Sequence, residues 1–171
     1  MPIRAVSFDL DHTLFDRYAT LRSLVPDFRK AFAANLDPAL SEEQIAEKLI
    51  AADARAIHFG WPTLFQVLVE SGLFRSPPPY QVYHDVMLDS LFTHHAVPLP
   101  QTLPMLSALR AQVYLVALIT NGRGTVQRPK LHMLGLENAF DAVLISAEFG
   151  IHKPDPAIFH AMAEKLAGGQ L

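Results

Sequence analysis

The chain has 171 residues, of which 50% are apolar and 18% charged, with a net charge of -3 at neutral pH. That length accommodates one ordinary domain, or a small core carrying an inserted module, and the apolar content excludes a disordered chain. Scattered positive charges give no footprint for nucleic acid or an anionic membrane, and the lack of cysteine excludes disulfides, thiolate metal sites and a cysteine nucleophile.

Ile3 to Phe8 is a short run of apolar, β-branched and aromatic residues that predicts a buried strand, followed by a polar loop. No charged-then-apolar leader pattern precedes it, and the longest apolar run, Val113 to Ile119, is too short to span a bilayer, so a cytoplasmic protein without a membrane partner is expected. From Arg17 to His95 the pattern is helical. Pro26 must kink or end the first of these helices. Ser41-Glu42-Glu43-Gln44 is a capping-box signature, and Ile45, Leu49, Ile50, Ala52 and Ile57 fall mostly on one face of the helix it opens. Trp61-Pro62 opens another helix that Gly72 can stop, and Ser76-Pro77-Pro78-Pro79 is a stiff joint. Phe59, Trp61, Phe65, Phe74 and Tyr80 read as core of this helical stretch, and His94-His95 as a helix-end surface pair.

Beyond Pro98 the pattern becomes helix (Thr102 to Leu109), strand (Val113 to Ile119), helix (Val126 to Leu134), strand (Ala142 to Ile145) and helix (Pro156 to Ala167). That alternation predicts an α/β fold with a Rossmann-like parallel sheet. The core comprises residues 1–15 and 99–171, and residues 16–98 form an α-helical insertion.

Reactive groups in such a sheet gather at the carboxyl ends of the strands. Those ends carry Asp9 and Asp11, then Thr120-Asn121-Gly122, then Lys153. Two carboxylates close together attract a divalent cation, and Mg²⁺ takes oxygen ligands together with a substrate phosphate. One carboxylate can attack phosphorus while the other moves a proton to the leaving oxygen and then activates water. Thr120 and the amides of Asn121 and Gly122 can donate to phosphoryl oxygens, and Lys153 can offset developing charge.

Phe8-Asp9-Leu10-Asp11-His12-Thr13-Leu14 resembles the first motif of the haloacid dehalogenase superfamily of hydrolases, Ile119-Thr120-Asn121-Gly122 the second, and Lys153-Pro154-Asp155-Pro156 the third. The resemblance implies Asp9 as nucleophile and Asp11 as general acid and base. It also implies Mg²⁺ on Asp9 and the Asp11 carbonyl, phosphate on Thr120, and Lys153 beside the nucleophile. Residues 16–98 would be a helical cap inserted after the first motif. A second aspartate able to protonate an alkoxide points to a phosphatase of a small phosphorylated metabolite before a 2-haloacid dehalogenase. Asn121-Gly122, Gln127 and Lys130-Leu131 resemble the pyrimidine nucleotidase and N-acylneuraminate-9-phosphatase branch.

The family's fourth motif, an acidic pair after a further strand, has no counterpart: Asp141, Glu148 and Glu164 do not match it. Weakened Mg²⁺ binding is therefore expected. So is an exposed edge on the strand carrying Asp9, leading to a homodimer through that edge, poor solubility, or a sequence shorter than the natural product. A truncated, catalytically weak relative serving as a binding or assembly module is the alternative function.

Overall fold

The computed structural model describes residues 4–56 and 59–168. Ile3, Ile57 and the chain end at Gly169 to Leu171 lie outside the described residues. The chain divides into two compact units, Met1–Arg17 with Ala96–Leu171, and Tyr18–His95.

In the first unit, the run ending at Thr120 forms strand β4 (Leu115–Thr120), buried on both faces from Val116 onward. Side chains alternate along a strand, so Val116 and Leu118 join Leu10, Leu14, Phe15, Leu106 and Leu131 on one face, and Ala117 and Ile119 join Ala142, Leu144, Ile158 and Met162 on the other. β4 pairs in parallel with β1 (Ala5–Phe8) on one side and β5 (Ala142–Ile145) on the other, the order expected of crossover connections. Helix α7 (Thr102–Ala111) leads into β4, α8 (Gly124–Met133) connects it to β5, and α9 (Ser146–Phe149) and α10 (Pro156–Gly168) follow.

Two expectations are corrected here. β1 is not buried as its apolar run suggested: Ala5 and Ser7 are exposed and Val6 and Phe8 half-buried, because among the described residues it pairs with β4 alone and forms the sheet's edge, the exposed edge expected for the strand that leads to Asp9. The central strand also starts later than the apolar run. Val113 sits in a turn at φ +66° with its amide on the Arg110 carbonyl, and its side chain is 90% exposed.

A feature that periodicity did not reveal is the antiparallel pair β2 (Phe15–Asp16) and β3 (Val97–Pro98), where the chain leaves the first unit and returns to it. The Thr102 hydroxyl donates to the Leu14 carbonyl at 2.9 Å, a buried bond between the two crossing segments.

The second unit contains α1 (Arg17–Ser23, its first residue belonging to the other unit), α2 (Val25–Ala31), α3 (Glu42–Ala56), α4 (Trp61–Glu70), α5 (Tyr80–Asp85), a π-helical turn (Val86–Leu91) and α6 (Phe92–His95). Proline lacks an amide hydrogen, so the helix stops before Pro26, which falls in the first turn of α2. Phe28, Phe32, Phe74 and Tyr83 form an aromatic core with ring centroids 4.8–6.4 Å apart. Trp61 and Phe65 pack against this core and Phe74 is within it, but Phe59 is 70% exposed in the turn before α4, contrary to its reading as core. His95 Nε2 lies 3.0 Å from Asp27 Oδ2, whereas His94 is exposed. No helix among the described residues is long and apolar enough to cross a membrane.

At the start of α3 the capping box forms as read. The Gln44 amide donates to Ser41 Oγ at 3.2 Å, and the Ser41 amide donates to Gln44 Oε1 at 2.9 Å. Ser41→Ala should therefore cost about 1 kcal/mol of stability, read as a lower urea midpoint at unchanged slope; an unchanged midpoint would show that the cap does not support α3.

Candidate active site

The register of the parallel sheet sets the geometry. Phe8 lies opposite Leu118 and Thr120 opposite Ile145, so the residues leaving all three strands emerge at one edge. The chain turns sharply after β1: the Leu10 carbonyl accepts from the Thr13 and Leu14 amides at 3.2 and 3.0 Å, with His12 between them at φ +60°. This turn keeps Asp9 and Asp11 at one end of the sheet, both within electrostatic reach of Lys130.

Asp9 is 39% exposed at its side chain, and Lys153 Nζ donates to its Oδ1 at 2.5 Å and to the Ile119 carbonyl at 2.8 Å. The lysine is held from behind. Asn121 Oδ1 accepts from the Lys153 amide at 2.8 Å, and Asn121 Nδ2 donates to the Lys153 carbonyl at 3.0 Å. The side chain of Asn121 thus braces the lysine loop.

Asp11 is the more heavily held carboxylate. Lys130 Nζ donates to its two oxygens at 2.8 and 3.0 Å, Arg17 donates to Oδ1 at 3.2 Å, and Gln127 Nε2 donates to Oδ2 at 2.9 Å. Burial raises the Asp11 pKa, but the charges of Lys130 and Arg17 and the donations from Gln127 and Lys130 outweigh it, lowering it from 3.8 to about 2. Lys130 is itself lowered, because burial of the ammonium outweighs the help it receives from Asp11. The Phe15 ring lies 5.5 Å from the Lys130 nitrogen and adds a cation–π contact.

Thr120 is fully buried, and its Oγ1 accepts from Gln127 Nε2 at 2.6 Å. The same nitrogen reaches the Asn121 carbonyl at 3.1 Å. Gly122 departs from expectation: its amide donates to Ser146 Oγ at 3.0 Å and is not free for a phosphate. Its φ of +139° suits glycine, and an added Cβ would come within 3.3 Å of the Gln127 side chain. The sequence motifs therefore converge, but their second tier, Arg17, Gln127, Lys130 and Ser146, was not assigned a role from sequence. The available signals were that Gln127 and Lys130, three apart, share one face of α8, and that both belong to the stretch that resembles the nucleotidase branch.

Asp9 and the Asp11 carbonyl are oxygen donors of the kind that could hold Mg²⁺. The other acids near the third strand are committed elsewhere: Asp141 accepts from the Val116 amide at 2.8 Å and pairs with Arg110, and Glu148 takes Arg128 in a two-point ion pair at 2.8 and 2.6 Å. Among the described residues no three acidic or histidine side chains cluster to hold a metal. Mg²⁺ commonly uses one or two carboxylates, waters and a substrate phosphate, and this donor set fits an ion held jointly with phosphate.

Residues 3–170 match the haloacid dehalogenase-like hydrolase family. A glyceraldehyde 3-phosphate phosphatase of Methanopyrus kandleri is 31% identical, over 96% of this chain and 70% of that protein. An N-acylneuraminate-9-phosphatase of mouse is 27% identical, over 96% and 69% respectively. Among solved structures, a HAD-hydrolase of Bacillus subtilis bound to magnesium superposes with a TM-score of 0.68 at 20% identity, over 96% of this chain and 73% of that one, which speaks for the fold.

The low Asp11 pKa carries a stability term with a definite sign. A carboxyl lowered on folding contributes stability above its unfolded value of about 3.9, and loses it as pH falls toward about 2. Carbon-13 NMR of the Asp11 carboxyl should give a midpoint near 2, and Lys130→Met should move that midpoint upward. An unmoved midpoint would show that Lys130 does not hold the charge.

Proposed function

The chain belongs to the haloacid dehalogenase-like hydrolases, and within that class of enzymes we propose a Mg²⁺-dependent phosphatase of a small phosphorylated metabolite that works through an aspartyl-phosphate. The observation that carries this reading is a pair of carboxylates at one strand end, each engaged by a different lysine.

In this mechanism the more exposed Asp9 attacks phosphorus. The bond to the ester oxygen breaks, and Asp11 delivers a proton to the leaving alkoxide. Asp11 is a carboxylate in the free protein, so that proton enters with the ester, whose monoanion carries one below about pH 6. Asp11 then accepts a proton from water as the water oxygen attacks phosphorus, the Asp9–phosphorus bond breaks and phosphate leaves. Lys153 neutralises Asp9 and the phosphoryl oxygens in turn, and the Thr120 hydroxyl donates to one of those oxygens. Mg²⁺ on the Asp9 carboxylate and the Asp11 carbonyl would offset the remaining phosphoryl charge.

Asp11 favours the phosphatase over carbon–halogen hydrolysis, because halide leaves without a proton whereas an alkoxide does not. Relatives named for glyceraldehyde 3-phosphate and for N-acylneuraminate 9-phosphate support a small phosphorylated substrate. The unit Tyr18–His95 acts in this reading as the cap that selects it.

Hydrolysis of p-nitrophenyl phosphate should require added Mg²⁺, stop with chelator, and fall at least about a thousandfold in Asp9→Asn while the circular dichroism spectrum stays unchanged. Full activity in the variant would remove Asp9 from the mechanism. Phosphate binding without turnover by the folded wild type would favour a non-catalytic binding module.

A further inference from the structure

The proposed chemistry needs the Asp11 carboxylate and the Thr120 hydroxyl directed at one phosphoryl group, although they leave different strands. We propose, resting on the phosphatase reading, that Gln127 and Lys130 of α8 are positioning residues that clamp Asp11 and Thr120 for the reaction. The two are 2% and 3% exposed, so neither is a solvated helix residue. Three residues apart, they face the strand ends together. Lys130 spans both Asp11 oxygens at 2.8 and 3.0 Å, which fixes the carboxylate plane as well as its charge.

Gln127 couples the two groups through one nitrogen, which reaches Asp11 Oδ2 at 2.9 Å and Thr120 Oγ1 at 2.6 Å. A hydroxyl that accepts from Gln127 must turn its own hydrogen elsewhere, which leaves that hydrogen available to a phosphoryl oxygen. Gln127 Oε1 is buried without a hydrogen-bond partner, so the amide's orientation is set by its donor side. Gly122 leaves room for the amide, since a Cβ there would crowd it. Packing alone does not account for the lysine, because apolar side chains of similar volume commonly replace buried ion pairs without loss of stability.

The test compares Lys130→Met and Gln127→Met with wild type on p-nitrophenyl phosphate and on an alkyl phosphate. Nitrophenolate leaves without a proton and an alkoxide does not, so a misplaced Asp11 hurts the alkyl ester more. The alkyl-ester kcat/KM, which reports the phosphoryl-transfer step and not the shared attack of water, should fall about a hundredfold, the aryl-ester kcat/KM should fall much less, and melting should stay cooperative. Equal losses of kcat/KM on both esters, or an undiminished alkyl-ester kcat/KM, would overturn the clamp. If Lys130→Met does not fold, Lys130→Arg keeps the charge but displaces the donors and must show the same ester-dependent loss. A wild-type chain that turns over neither ester sinks the phosphatase reading, and calorimetry with inorganic phosphate then judges the clamp separately. Binding weakened about tenfold in Gln127→Met supports it, and unchanged binding overturns it.

Discussion

The Lys130 ammonium, 3% exposed and within 3.0 Å of both Asp11 oxygens, ties helix α8 to the loop leaving β1. An isolated ammonium in that position would be costly, and so would an Asp11 stripped of its partner; removing one member of such a pair typically costs about 3–5 kcal/mol. Each charge therefore constrains where the other can be. The Phe15 ring lies beside the ammonium, and the Gln127 amide donates to the same carboxylate. The low pKa of Asp11 follows from this pairing.

A second consequence is the sign of the charge at the strand ends. Two carboxylates, Asp9 and Asp11, meet three cations, Arg17, Lys130 and Lys153, leaving one positive charge in excess. That balance favours an anion, and it suits a cation best when the cation arrives with a phosphate. With Asp141 and Glu148 engaged by Arg110 and Arg128, the metal reading stands on a shared ion rather than a protein-only cage.

Much of this was readable in sequence because the signals are local. The continuous apolar run before Thr120 announced a strand covered on both faces, which formed with a later start, and Ser41 with Gln44 announced a helix start, which formed as read. Strand-end positions likewise brought Asp9, Asp11, Thr120 and Lys153 together, since parallel strands leave the sheet at one edge. Harder to read was anything set by a neighbour in space. The turn at Val113 depends on where pairing with Arg4 begins, and the Gly122 amide on Ser146, 24 residues away. Gln127 and Lys130 look like polar helix residues until the helix is laid against the strand ends.

The central claim is that Asp9 becomes phosphorylated. Its most direct test is to quench turnover of a phosphate ester in acid, reduce with borohydride and sequence the chain by mass spectrometry. An aspartyl-phosphate is reduced to homoserine, whereas a free carboxylate is untouched. The mechanism predicts homoserine at position 9, dependent on substrate and on Mg²⁺. Turnover that leaves position 9 as aspartate, with homoserine elsewhere or nowhere, would contradict it.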